Sequence, residues 1–538
     1  MSKRVYNIMF HTHTISGIII SAALYVIFFT GSISFLRDEI IAWERNEPVT
    51  DNYFSEVDFD SLLKSLEENH ELRNRDVSFN QRIEGQMAST LISPAKTKTK
   101  TKTKNKTKAE DKGKEVRKRR GKRNFFVTNL STYKTEQYAD SYTLGEFFYR
   151  LHFFAQLNLI GQSGYVLAGL VAFFFLFAIL TGVIVHWKKI ISSFYVFRPN
   201  TKWKTIWTDA HVSLGIIGLP FQFMFAVTGV YLIIGSSIML PPIESILFKN
   251  DSKDFKEAAS ATKNIEYKLK GETMEGVVSF NDLVAKTKQK WPNIKINGLQ
   301  IFNYGDKNMH VKVEGSPYFK DKFLSTGYVT FKAIDSSIVD EKDPYAKTSY
   351  VEGSTNILKR LHFGDYGGYG MKLINFVLGL ITCFVIISGV LIWLVARDKS
   401  NVPVYKQKFN SWLVHIYMAI CLSIYPMTAL IFIVVKCFSN DYEGGKKALI
   451  YNVFFYGWLA LSTVFIIKKD NYFTNKTSLI LGSILGLLVP VSNGFVSGNW
   501  LWVTWQKGYT QIFVMDVFWI LLSLTALAVV FKLKKKAV

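Results

Sequence analysis

The sequence predicts a polytopic α-helical membrane protein of about eight transmembrane helices, the first four a duplicated two-helix unit, with two small α+β domains outside the membrane. Two observations carry this. Apolar residues are gathered into blocks of roughly 20, the length that crosses about 30 Å of hydrocarbon. One order of motifs is also written twice. His13 opens HTISG…TG, with Gly17 four residues on and Thr30-Gly31 at plus seventeen and eighteen; His211 opens HVSLG…TG, with Gly215 and Thr228-Gly229 at the same offsets. The tetrapeptide Arg150-Leu151-His152-Phe153 recurs as Arg360-Leu361-His362-Phe363, each ahead of an apolar run ending TGVIVHW or SGVLIW.

The spans fall near 15–36, 164–186, 211–235, 371–395, 411–435, 449–467, 477–494 and 509–531, the seventh short and carrying Pro490. Lys and Arg near span ends mark the cytoplasmic side. Lys3 and Arg4 precede the first span, Lys188, Lys189, Arg198, Lys202 and Lys204 fill the loop after the second, and Lys532, Lys534, Lys535 and Lys536 close the chain. Both termini are expected inside. The basic start followed by an apolar run imitates a signal peptide, but the run is too long and lacks a small-x-small cleavage site, so it reads as retained.

This divides the chain into 1–36 with the first helix, an outer domain 37–145, the second helix with its RLHF segment at 146–187, and a loop with the third helix at 188–239. A second outer domain at 240–358, the fourth helix with its RLHF segment at 359–396, and four more helices within 411–538 complete it. In the first outer domain VDFDSLLKSLEENHEL has Phe59, Leu62, Leu63 and Leu66 at helical spacing, and VSFNQR, STLIS and NFFVTNLSTY read as strands. The second repeats the order: VSFNDLVAKTKQKWP as a helix stopped at Pro292, then INGLQIFNY, NMHVKVEG and TGYVTFKAIDSSIV as strands.

Residues 96–123 hold fifteen Lys or Arg against three acids and supply about half of the formal charge of +23. Taken alone such a run reads as a nucleic-acid tail or an inside signal, but long translocated domains largely escape the charge rule. It is therefore placed outside as a disordered insertion between two strands, the alternative being contact with anionic lipid or polyanionic surface sugars rather than nucleic acid. The three cysteines, Cys383, Cys421 and Cys437, lie in or beside spans and imply no disulfide framework. There is no Cys-x-x-Cys-His for covalent haem, no dinucleotide or phosphate-loop fingerprint, no H-E-x-x-H and no serine-hydrolase elbow.

Ionisable side chains at membrane depth are costly unless paired or functional, which directs attention to the histidines. Each alone could cap a helix. Duplicated at equal depths, His13 with His211 and His152 with His362 suit bis-histidine ligation of haem, a low-spin arrangement for electron transfer. Gly17 and Gly215, one turn deeper on the same helical face, clear room for a flat ring. Arg150 and Arg360 can pair with haem propionates. His186 and His415 compete for the inner site; His11, two residues from His13 and so on another face, reads as a polar cap. With no cytoplasmic domain for flavin or nicotinamide, electrons must come from a quinol or a separate reductase.

These spaced His, Gly and Thr-Gly positions, the RLHF-led spans and the outer helix-plus-sheet domains resemble the PepSY-associated transmembrane proteins of bacterial inner membranes, also called iron-regulated or iron-uptake-associated membrane proteins. The resemblance covers about residues 1–400. It implies PepSY-like periplasmic domains and haem b, two per chain, with His13 and His211 for an inner haem and His152 and His362 for an outer one. It also implies transfer of electrons to a ferric siderophore in the periplasm, releasing Fe(II). The flavodoxin-like part fused to some relatives is lacking, and the Lys-rich insertion is a further departure. Two other functions compete: a non-redox protein whose outer domains bind peptide or modulate a protease, and a transporter of siderophore or iron.

Overall fold

The computed structural model describes residues 2–49, 53–81, 86–95, 123–198, 200–239, 245–246, 267–276, 279–348, 350–439 and 441–533. The Lys-rich insertion 96–123, read as disordered, lies outside them except for Arg123. Among the described residues eight helices are long and apolar enough to cross a membrane, making this a multi-pass membrane protein. They are span 1 (Lys3–Ser34), span 2 (Ser163–His186), span 3 (Lys204–Gly235), span 4 (Gly368–Val395), span 5 (Val404–Phe438), span 6 (Lys446–Lys468), span 7 (Asn471–Ser497) and span 8 (Thr510–Lys532). Span 7 is not short. It runs 27 residues, because Asp470 caps it through the N–H groups of Tyr472 and Phe473 and Pro490 is carried inside the helix, as neighbouring helices permit in membranes.

Among the shorter helices are α1 (Arg37–Arg45), α2 (Phe59–Asn69), α3 (Leu144–His152), α4 (Phe280–Lys290) and α5 (Tyr350–Phe363). The chain divides into two compact units, one of Met1–Pro48, Tyr142–Phe255 and Thr355–Val538, the other of Val49–Ser141 and Lys256–Ser354. In the first, spans 1 to 4 close a ring in which span 1 packs on spans 2 and 4, and span 3 on the same two. Span 5 packs against both span 6 and span 7, and span 8 lies against span 7 and α1.

Among the described residues the second unit holds one antiparallel sheet of eight strands in the order β4-β3-β2-β1-β5-β6-β7-β8. They are β1 (Arg75–Asn80), β2 (Met87–Pro94), β3 (Asn124–Asn129), β4 (Thr135–Gln137), β5 (Ile294–Phe302), β6 (His310–Pro317), β7 (Gly327–Lys332) and β8 (Ile338–Lys342). Each half is a four-strand meander, and the halves join through their first strands, with Val77 opposite Ile301 and Phe79 opposite Leu299. The two α+β segments thus share one sheet and one core. A bulge at Asn297 changes the parity of β5, so Ile294 and Ile296 before it and Leu299 and Ile301 after it all reach that core. The stretch TGYVTFKAIDSSIV, expected as one strand, is a hairpin. Asp335 accepts the N–H and hydroxyl of Ser337, and Ser336 takes φ 56°, folding β8 back on β7.

Two helices cover the sheet with the same pattern: Phe59, Leu62, Leu63 and Leu66 in α2, and Phe280, Leu283, Val284 and Thr287 in α4, are buried at i, i+3, i+4, i+7. Their N-termini cap each other. The Phe59 N–H donates to Asn281 Oδ1 (2.8 Å) and Asn281 Nδ2 to Asp58 (2.7 Å), while the Phe280 N–H and the Ser279 hydroxyl donate to Asp60 (2.6 and 2.8 Å). The Ser61 hydroxyl, with the Asn281 amide and the Ser61 N–H, holds the Asp58 carboxyl at about 2, below its ordinary 3.8. A depressed carboxyl stabilises the fold above its unfolded value and loses that contribution as pH falls through the folded one. Asp58→Ala is expected to cost about 1 kcal/mol at neutral pH and progressively less as pH drops from about 4 towards 2. Hydrogen exchange of the α2 and α4 amides in the intact protein measures this, and a difference independent of pH contradicts it.

Candidate functional site

The ring of spans 1 to 4 brings the four duplicated histidines together as two pairs. His13 and His211 have ring centroids 6.3 Å apart with planes at 69°, and His152 and His362 are 5.9 Å apart at 43°. The pairs sit at opposite ends of the ring, roughly 20 Å apart along span 1 as measured from His13 to Ile27 at ~1.5 Å per residue. Neither pair lies within one repeat. Each repeat gives one histidine to each end, and the closing of the ring assembles both pairs.

How each ring is held depends on the Thr-Gly and Ser-Gly dipeptides. A helical carbonyl keeps a second lone pair after accepting its own N–H, but a side chain four residues on leans back over it. Glycine there uncovers it. His13 Nδ1 reaches the Ala178 carbonyl (2.9 Å), four residues before Gly182, and His211 Nδ1 reaches that of Val385 (2.9 Å), four before Gly389. His152 Nδ1 reaches the Ile27 carbonyl (2.8 Å), four before Gly31. A Cβ at Gly182, Gly389 or Gly31 would stand 3.1, 3.2 or 2.6 Å from the ring concerned. The fourth case differs. His362 Nδ1 lies 2.8 Å from the Thr228 hydroxyl, and a Cβ at Gly229 would stay 3.9 Å from His362 Cε1.

The partners settle the tautomers. A carbonyl only accepts, so Nδ1 of His13, His152 and His211 carries the proton. Thr228 donates its hydroxyl to the Met224 carbonyl (2.7 Å) and therefore accepts from His362 Nδ1–H. All four histidines thus present Nε2 as a bare lone pair, and none of these Nε2 atoms makes a hydrogen bond among the described residues. An Nδ1–H bound to a backbone carbonyl is the usual support of a metal-ligating imidazole.

The separation also fits. Two ~2 Å metal–nitrogen bonds with an imidazole ring beyond each put the centroids about 6 Å apart. Among the described residues no group of three or more His, Cys, Asp or Glu could hold a metal ion, so two nitrogens are what each pair offers. Gly17 and Gly215 behave as a clearance would: an added Cβ at either meets nothing within 4 Å. Between the pairs the ring is filled by aromatic side chains, with Phe28 against Phe175 (5.1 Å) and Phe221 (6.4 Å), Phe221 against Phe225 (4.4 Å), and Phe225 against His362 (5.3 Å).

The remaining candidate residues have partners of their own. Arg150 lies 3.5 Å from Glu146, which also pairs with Arg37, and Arg360 is bonded to Asp365 (3.1 Å), so both guanidinium groups lie beside carboxylates of the chain. His186, at the end of span 2, is close enough to His13 and His211 to interact electrostatically with both. His415 is not brought to either pair through a hydrogen bond: its Nδ1 meets Asn471 (2.7 Å) and its Nε2 meets Ser411 (3.3 Å), tying spans 5 and 7. His11 is exposed, edge-on to Phe10, while its counterpart in the second repeat, Asp209, binds Arg198 through both oxygens (2.9 and 2.8 Å). Gly182 and Gly389 were not singled out from the sequence, although each follows a Thr or Ser as Gly31 and Gly229 do.

Fold and site together define a class: a multi-pass membrane protein whose first four spans are a repeated two-helix unit with facing histidine pairs. The model of the family described as PepSY-associated TM region matches residues 10–396, and the chain belongs to that family. No curated protein matches the chain. Spans 5 to 8 lie beyond the matched region.

The geometry predicts different responses at equivalent glycines. Gly31→Ala drives a methyl into the His152 ring and is expected to destabilise the protein by about 1–3 kcal/mol, as overpacking does. Gly229→Ala is expected to cost under about 0.5 kcal/mol. Thermal unfolding in detergent distinguishes them, and equal shifts contradict the packing described.

Proposed function

We propose that the protein is a di-haem b electron-transfer protein that reduces a ferric siderophore, delivering one electron to each Fe(III). The observation that carries this reading is the two histidine pairs, each at ligation distance with both Nε2 lone pairs bare. His13 and His211 would hold one haem and His152 and His362 the other, each bound haem supplying a one-electron carrier fixed in the bilayer. The chain's contribution is to orient. Four Nδ1–H bonds fix the tautomer and aim of each ring, glycines admit the rings between helices, and the packed phenylalanines between the pairs exclude water. With both termini on the cytoplasmic side, the first pair lies near the inner face and the second near the periplasm.

The substrate's chemistry suits such a device. A hydroxamate or catecholate cage binds Fe(III) through hard anionic oxygens. Adding one electron lowers the metal's charge, weakens those bonds and frees Fe(II). The electrons come from the cytoplasmic side or from quinol. The bacterial inner membrane and the periplasmic side follow from the family resemblance and the charge pattern of the loops, and the siderophore from the family resemblance.

About two haems b per chain are expected in protein made with adequate haem supply. His13→Ala with His211→Ala is expected to halve that number, and His152→Ala with His362→Ala to remove the other half, as counted by the pyridine haemochrome method. Folded protein without haem would overturn the reading and favour peptide binding by the sheet unit. Unchanged haem in the paired variants would overturn the ligand assignment.

A further inference from the structure

Spans 1, 4, 5, 7 and 8 enclose a cavity of about 220 Å³. Its walls are mainly apolar, with the aromatic rings of Phe29, Phe376, Phe432 and Phe518 among aliphatic side chains such as Leu422. Polar residues also line it, Thr428, Asn475 and Thr525 among them, together with Tyr425, Ser478 and Trp519, the last two 2% and 1% exposed. The Ser478 hydroxyl and the Trp519 indole N–H are buried and without a hydrogen-bond partner among the described residues. The Tyr425 hydroxyl has the Ser483 and Ser523 hydroxyls as its neighbours and partners. Native proteins seldom leave buried donors unmet, and hydrocarbon offers them nothing.

These features specify an occupant. It must arrive from the bilayer, since the walls are membrane helices. It must be flat and apolar to lie among the aromatic rings, and it must carry acceptors for hydroxyl and indole donors. A cavity of about 150 Å³ already takes benzene, so this one takes a substituted or fused six-membered ring. A quinone head group meets each condition, with carbonyls on opposite edges of a planar ring and an isoprenoid tail suited to lipid.

Position adds to this. Tyr25, Phe29 and Ile33 give span 1's contribution to the wall. They lie on the face opposite Ile27 and Gly31, against which His152 is packed. One helix, ~10 Å thick, therefore separates the cavity from the second histidine pair.

We propose that this cavity binds the head group of a membrane quinone, built by spans 5, 7 and 8 against spans 1 and 4. Its role as electron source rests on the electron-transfer reading above; the binding itself does not. Oxidation of one quinol to quinone releases two protons to water and yields two electrons, which reduce two ferric ions.

The test uses the full chain in detergent with photoreactive azido analogues of a benzoquinone and a naphthoquinone, the labelled peptides being mapped by mass spectrometry. Label is expected in peptides containing Tyr425, Ser478 or Trp519, and excess unlabelled quinone should remove it. Tyr425→Phe with Ser478→Ala, which removes two donors with little change of volume, is expected to lower labelling about tenfold at unchanged thermal stability. Label confined to other segments, label unaffected by the double variant, or displacement by phospholipid as effective as by quinone would each overturn the proposal. Specific labelling of a protein without haem would uphold the quinone site while the electron-transfer reading fails; haem without specific labelling would do the reverse.

Discussion

A histidine Nδ1–H bound to a carbonyl that a glycine leaves uncovered is the contact on which the membrane part of this protein depends. It occurs three times, at Ala178, Val385 and Ile27, and a fourth histidine, His362, takes the same orientation from the Thr228 hydroxyl. Each bond does two things. It docks one helix of a repeat against the other, and it turns Nε2 away with its lone pair free. Packing and orientation are therefore one feature: a helix cannot close properly without turning a bare Nε2 outward from the bond that docks it.

Duplication supplies the rest. One repeat offers two histidines at opposite ends, too far apart to share a metal. Two repeats closed into a ring give two facing pairs. The sheet unit obeys the same logic, since two meanders join through β1 and β5 and two helices exchange caps through Asp58, Asp60, Ser279 and Asn281. In both units the functional whole exists only when the halves meet.

The eight spans, the two-span repeat and the four histidines were legible in the sequence because membrane length and fixed motif spacing are local signals. The α2 face at Phe59, Leu62, Leu63 and Leu66 was legible for the same reason. What was not legible depends on partners distant in the chain. Fusion of the two α+β segments into one sheet rests on pairing between residues near 77 and near 301. The roles of Gly182 and Gly389 appear only when span 2 meets span 1 and span 4 meets span 3. The β7–β8 hairpin was hidden because its turn is made by Asp335 and Ser336 with no glycine or proline to mark it. Nor could the sequence reveal that Tyr425, Ser478 and Trp519, on three different spans, line one cavity.

The central claim is that each histidine pair ligates one iron through two Nε2 atoms, and electron paramagnetic resonance of the oxidised, purified protein tests it most directly. The ring planes cross at 69° in one pair and 43° in the other. The account predicts two distinct low-spin ferric signals, both from bis-histidine haem and differing in anisotropy. A high-spin signal as the major species, or a single low-spin signal at one haem per chain, would contradict it.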